Sequence, residues 1–269
     1  MVHTNRYRGL LRYVSAHWPR YLLGLGGGIV FTMLLIVISF NRGWYSFFLL
    51  GLAALLVLLY LVGASLWAAH RLNDHDLISQ VLFSVGELEP ASEIVYISLG
   101  SGRLAISLSR RLTTGHLIVL DVYNPQLAPS RPLARQRQRA QQRNHDPRLS
   151  WRDGQFNLLP LPDNSTQYVI LPRVLTELWQ EGDRSRMMRE IQRILEPTGS
   201  LLMIEPIRTV TSILTFVPGW SRLEPAGYWR QMVSATGFKI VTEGVMYDQL
   251  WCGRLQPIVQ PQGVRPAPS

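Results

Sequence analysis

Two long apolar runs open the chain, and shorter apolar runs alternating with polar ones fill the rest. Tyr21 to Phe40 is 20 residues without a charge. As a helix, at about 1.5 Å per residue, it would cross a bilayer core of roughly 30 Å. After the polar link Asn41-Arg42-Gly43, a second uncharged run extends from Trp44 to Ala69, long enough to span with some tilt. So short a link predicts a helical hairpin with both ends on one side. The first run is long, a second follows it directly, and no small-residue cleavage site lies between them. The pair therefore predicts a retained anchor rather than a secretory leader.

From Arg71 to Gly86 the spacing is helical, with Leu77, Ile78, Val81 and Leu82 on one face after a polar Asn73-Asp74 start. Strand and helix patterns then alternate. Strands are predicted over Glu93–Leu99, His116–Leu120, Leu149–Trp151, Gln167–Leu171 and Ser200–Ile204. Between them come helices over Arg103–Leu112, Pro132–Gln142, Val174–Trp179 and Asp183–Leu195, the last closed by a Glu196–Gly199 turn. A helix over Pro225–Thr236 and strands over Phe238–Glu243 and Tyr247–Leu255 complete the pattern. Such alternation predicts an α/β domain with a parallel sheet covered on both faces. The predicted organisation is a basic N-terminus over 1–20, a hairpin over 21–69 (spans 21–40 and 44–69), a domain over 71–255, and a Pro- and Gln-rich disordered tail over 256–269.

Charge adds topology. The formal net charge is +9, and Lys239 is the only lysine. Arg6, Arg8, Arg12 and Arg20 precede the first apolar run and Arg71 follows the second. The positive-inside bias then predicts a two-span protein of the cell membrane with its N-terminus and its domain in the cytoplasm. Trp18, Tyr21, Trp44, Tyr45 and Trp67 fall near the expected interfaces, and Gly24 and Gly28 form a small-xxx-small pair suited to close helix packing. Arg131, Arg135, Arg137, Arg139 and Arg143 read as a solvated helix face, or one touching anionic lipid, and no nucleic-acid partner is expected. The single cysteine, Cys252, excludes an intrachain disulfide and reads as a small buried residue. No His, Cys, Asp and Glu grouping has metal-ligand spacing.

The candidate chemistry begins at Leu99-Gly-Ser-Gly-Arg-Leu104, between the first strand and the next helix. Gly100, Ser101 and Gly102 allow a tight turn and close approach to a ligand beside the free N–H groups of a helix start. Asp121 ends the second strand, 21 residues after Gly100. That spacing suits a carboxylate accepting both ribose hydroxyls of an adenosine ligand. At this point a dinucleotide fits as well, because Gly100-x-Gly102-x-x-Ala105 satisfies a loose dinucleotide fingerprint.

Further motifs narrow the choice. Ile94-Val-Tyr-Ile-Ser-Leu-Gly-Ser-Gly102 is followed by Asp153-Gly-Gln-Phe-Asn-Leu-Leu-Pro-Leu-Pro-Asp-Asn-Ser165 and by Arg189-Glu-Ile-Gln-Arg-Ile-Leu-Glu-Pro-Thr-Gly-Ser-Leu-Leu-Met-Ile-Glu-Pro206. In order and spacing these three stretches resemble the class I S-adenosylmethionine-dependent methyltransferases from about Asp74 to Leu255, especially the branch modifying quinones and small lipids. The resemblance implies a Rossmann-like, seven-stranded, mostly parallel sheet with an antiparallel last strand, and S-adenosylmethionine as cofactor. It implies that Ser98, Gly100, Ser101 and Gly102 surround the methionine part and that Asp121 holds the ribose. Val122 would flank the adenine, Asp153 would bind its amino group with Gly154 and Gln155 beside it, and Leu171 and Pro172 would lie near the sulfonium. Two positions depart from the family pattern: Ser98 replaces an acid, and Leu104 replaces a third glycine and would crowd the loop.

An oxygen acceptor would need a base. Glu177 and Glu205, both near the C-terminal edge of the sheet, are the candidates. The segment from Pro206 to Trp220 is apolar for a loop, and beside an anchor it suggests a lipophilic acceptor taken from the bilayer. Two other readings compete: a cofactor-binding or assembly protein with weakened catalysis, and a membrane-tethered nicotinamide oxidoreductase.

Overall fold

A computed structural model describes residues 6–43, 45–72, 74–100, 102–138, 146–216 and 219–258. The first two helices, α1 (Arg6–Arg42) and α2 (Tyr45–Leu72), pack against each other as a hairpin. Helix α1 starts well before the apolar run, so its first turns carry the basic segment. Among the described residues, Leu22–Arg42 and Phe47–Leu72 are long and apolar enough to cross a membrane. Their outer faces are bare, with Leu23 and Tyr60 each 73% exposed. A Cβ on Gly28 would lie 2.6 Å from Leu58 Cδ2, whereas one on Gly24 would meet nothing within 4 Å. Only one member of the predicted small-residue pair therefore serves the helix contact.

Helix α3 (His75–Gly86) follows almost at once, with the Asp74 carboxylate accepting from the Leu77 N–H at 3.2 Å. Next come β1 (Glu93–Ser98), α4 (Arg103–Ser109), β2 (His116–Asp121), α5 (Arg131–Gln138), β3 (Leu149–Asp153) and β4 (Thr166–Pro172). They are followed by α6 (Glu181–Ile194), β5 (Leu195–Pro206), α7 (Val210–Phe216), α8 (Ala226–Ala235), β6 (Phe238–Met246) and β7 (Leu250–Pro257). The sheet order is β3-β2-β1-β4-β5-β7-β6, with β7 antiparallel to both its neighbours. Successive residues of β1 enter opposite cores. Val95 and Ile97 pack with α6 and α8, while Ile94 and Tyr96 pack with α3 and α4. Burial on both faces is why this strand reads as an unbroken apolar run.

Several boundaries differ from expectation. The helix predicted after β4 is a single 3-10 turn over Leu175–Glu177. The turn predicted at Glu196–Gly199 is absorbed into β5 as a register irregularity opposite Thr166 and Tyr168. Strand β7 extends to Pro257, so the sheet takes up the start of the predicted tail; 259–269 lie outside the described residues.

Candidate functional site

The loops leaving β1, β2 and β3 are tied in series at the C-terminal edge of the sheet. The Gly100 N–H donates to Ser98 Oγ at 3.2 Å, the Val122 N–H donates to the Ser98 carbonyl at 3.0 Å, and the Gly154 N–H donates to the Asp121 carbonyl at 2.9 Å. In register, Ser98 faces Asp121 and Asp121 faces Asp153. The structure thus brings the glycine loop, Asp121, Val122, Asp153 and Gly154 to one edge; Ser101 lies outside the described residues.

Gly102 has φ 62°, and a Cβ there would overlap the Trp151 ring, whose Cζ3 would be 2.9 Å away. An added Cβ on Gly100 would meet Leu133 Cδ1 at 3.8 Å and Gln136 Oε1 at 3.9 Å, ordinary contact distances, so this position is not crowded as Gly102 is. Leu104 does not crowd the loop as expected. It is 4% exposed and packs inward with Ala105 and Leu108. A Cβ on Gly154 would stand 3.5 Å from Val122 Cγ1, so these two residues form one apolar wall. Asp153 is exposed and Leu171 buried, with Pro172 half-buried beside it.

Asp121 is engaged within the chain. Arg137 of α5 donates to both its carboxylate oxygens at 2.8 Å, donates to the Leu99 carbonyl at 3.0 Å, and lies 4.3 Å from the centroid of the Tyr123 ring. The Tyr123 N–H adds a bond to Asp121 Oδ1 at 3.2 Å. Sequence reasoning placed Arg137 on a solvated face, and no local pattern marks it as the partner of an acid 16 residues away. Arg193 was also missed. It bridges Glu190 at 2.8 Å and Asp163 at 2.6 Å and donates to the Leu159 and Leu161 carbonyls, fixing the loop between β3 and β4.

The two candidate bases sit differently. Glu205 is fully buried and accepts from the Leu175 N–H at 2.8 Å, the Thr176 N–H at 3.2 Å and the Thr176 hydroxyl at 2.7 Å. Both of its oxygens hold the turn after β4, and burial pushes its carboxyl up to about 7 despite those bonds. The Glu177 carboxyl is raised by burial, against a hydrogen bond from Ser130 and the charges of Arg222 and Arg173. His75 is half-buried at the same edge, with its buried Nδ1 unpartnered; burial and the Arg173 and Arg103 charges hold it down to about 3. Among the described residues, no group of His, Cys, Asp and Glu could hold a metal.

Residues 94–199 match a family model described as a methyltransferase domain. The chloroplastic 2-phytyl-1,4-beta-naphthoquinone methyltransferase of Arabidopsis thaliana is 27% identical over 150 residues, which is 55% of this chain and 55% of that one. The chain thus matches about half the length of that relative. A SAM-dependent methyltransferase from Aquifex aeolicus superposes with a TM-score of 0.52 at 14% identity, covering 68% of this chain and 89% of that chain. Human N-acetylserotonin methyltransferase in complex with SAM gives 0.50 at 17% identity, over 71% and 56%. Taken with the sheet order, these findings show that residues 94–199 are similar to a methyltransferase domain and that the chain has the fold of solved S-adenosylmethionine-dependent methyltransferases. S-adenosylmethionine is the cofactor on which these neighbours depend or which they hold, and the loop at Gly100 beside a lined-up Asp121 and Asp153 fits it.

Proposed function

We propose that the chain is a membrane-anchored methyltransferase that passes a methyl group from S-adenosylmethionine to a small lipophilic acceptor of quinone-like class. One observation carries the reading: the hydrogen-bonded series through Ser98, Asp121 and Gly154 aligns a glycine cradle with two acids at the edge where this fold takes nucleosides. The family resemblance and the naphthoquinone-modifying relative support the choice of acceptor class.

When bound, the cofactor supplies a methyl carbon already activated by a sulfonium, so the protein's task is alignment and exclusion of water. Gly100 and Gly102 would admit the methionine part, with Ser98 fixing the turn and Ser101 between them. Asp121 would take the ribose hydroxyls. Val122 and Gly154 would flank the adenine, and Asp153 would accept from its amino group. Leu171 and Pro172 would border the methyl. Glu177, whose ionised carboxylate burial makes more basic than an exposed one, would accept the proton that an oxygen acceptor must lose. Glu205, with both oxygens committed, would act as a positioning residue behind it.

The domain reading is a basic N-terminus over 1–20, a hairpin over 21–69 and a cytoplasmic methyltransferase domain over 71–255. The test is calorimetric titration of the detergent-solubilised chain with S-adenosylhomocysteine, with NAD and Asp121→Ala as controls, followed by transfer of a labelled methyl group to short-chain naphthoquinols. Binding abolished by Asp121→Ala, no NAD binding, and label in the quinol support the proposal. Binding without transfer to any acceptor would favour the assembly reading, and NAD binding the oxidoreductase reading.

A further inference from the structure

The end of α2 is built into the domain rather than tethered to it. Leu72 is 2% exposed and packs with Ile78 and Leu82 of α3 in the core beneath α4, and Ala68 and Ala69 are fully buried. Helix α3 begins at His75, with only two residues between it and the end of α2, so the joint has almost no slack. Helix α7, which leaves the C-terminal end of β5, packs on α2. The turn after β6 closes the same corner: Arg71 stands 3.9 Å over the Trp67 ring and 5.0 Å over the Tyr247 ring, and the Thr211 hydroxyl donates to Asp248 at 3.0 Å. All these joints lie at the edge of the sheet that carries the cofactor loops.

Apolar side chains stand bare around this corner. Val210 is 80% exposed, Trp67 55%, Val245 51% and Ile213 38%. Trp67 and Arg71, in the last turns of α2, have the chemistry of residues at a headgroup boundary. Resting on the anchor reading above, we infer that the domain is docked. The C-terminal edge of its sheet faces the bilayer, with Val210, Ile213 and Val245 seated at the boundary between headgroups and acyl chains. The occupant of this surface is the lipid into which α2 itself runs. A docked domain opens its acceptor side onto the membrane plane, so the acceptor reaches the site from lipid without crossing water.

The lone cysteine makes the test direct, because Cys252 is 7% exposed and its thiol is raised by burial. Val210→Cys, Val245→Cys, Leu49→Cys in the span and Ala91→Cys at the opposite end of the sheet each receive a bimane label. The full chains are reconstituted in phosphatidylcholine–phosphatidylglycerol vesicles carrying lipids spin-labelled at shallow or deep positions. Docking is expected to quench positions 210 and 245 at least threefold more than position 91, and more by the shallow label than by the deep one. Position 49 is expected to respond to the deep label. Quenching at 49, with 210 and 245 as unaffected as 91, would overturn docking while leaving the anchor intact. No quenching at 49 would overturn the anchor reading, and docking with it.

Discussion

The contact between Arg137 and Asp121 makes a quantitative prediction about the cofactor site. On the proposed ribose contact, the ligand hydroxyls would take acceptor positions on Asp121 that Arg137 now fills, so the pair and the ligand compete. The two side chains are 27% and 17% exposed, which screens the pair without dissolving it. A charge-assisted bidentate pair in such a setting is worth about 1–2 kcal/mol. Removing the competitor should recover that amount, and since 1.4 kcal/mol is a factor of ten, affinity should rise roughly five- to thirtyfold. Arg137→Gln keeps most of the volume and loses the charge. Titrated with S-adenosylhomocysteine at pH 7.5, the variant is expected to bind more tightly than the natural chain. Raising the salt concentration should narrow the difference by weakening the pair only where it exists. The reasoning fails if Arg137→Gln weakens binding as much as Asp121→Ala does, for Arg137 would then be a partner of the ligand.

Other consequences are as direct. Gly102→Ala must place a Cβ in the Trp151 ring at φ 62°, so a loss of about 1–3 kcal/mol in thermal or denaturant unfolding is expected; Gly100→Ala has room, and is expected to melt normally while binding S-adenosylhomocysteine less well. Glu205, raised to about 7, keeps a proton in the folded chain that the unfolded chain releases near 4.3, so its contribution to stability declines as pH rises from about 4.5 to 7. His75, held down to about 3, tilts the same range the other way, because the unfolded chain takes up the proton below about 6.5. The observable is therefore the difference in melting between Glu205→Gln and the natural chain, which should shift in favour of the variant between pH 5 and 7.5; a constant difference would refute the assignment. Removing residues 1–70 strips Ala68 and Ala69 from the core and bares the side of α7 that packs on α2. The shortened chain is expected to melt well below the full chain in the same detergent, and equal melting would show that the domain is mechanically separate.

What the sequence made legible follows from where the determining contacts lie. Strands β1, β4 and β5 are buried on both faces, so their side chains announce them as continuous apolar runs without reference to distant residues. Helix α3 carries its own start signal, since Asp74 caps it from one residue outside. The helix predicted after β4 had no such local truth. The Glu205 carboxylate, 29 and 30 residues away in sequence, takes the N–H groups of Leu175 and Thr176. With those donors tied to β5 and Arg173 held at φ 53°, the backbone makes one turn and leaves.

The glycine loop divides along the same line. Gly100, Gly102 and Asp121 were readable because strand ends place them together through spacing alone. Leu104 was misread as crowding the loop, although its own helix held the answer: Leu104 and Leu108 share a face, one turn apart, and that face is core. Arg137 had no signal in the sequence, because its partner is fixed by the crossing of α5 over the end of β2. That crossing also gives Ser98 its meaning. The acid that the resemblance implies at this position would stand beside a loop whose Asp121 is already paired with Arg137; Ser98 instead accepts from the Gly100 N–H, holding the turn without adding charge. Ser98 therefore holds the shape of the loop, and on the proposed reading the charge that meets the ligand is set by the Asp121–Arg137 pair.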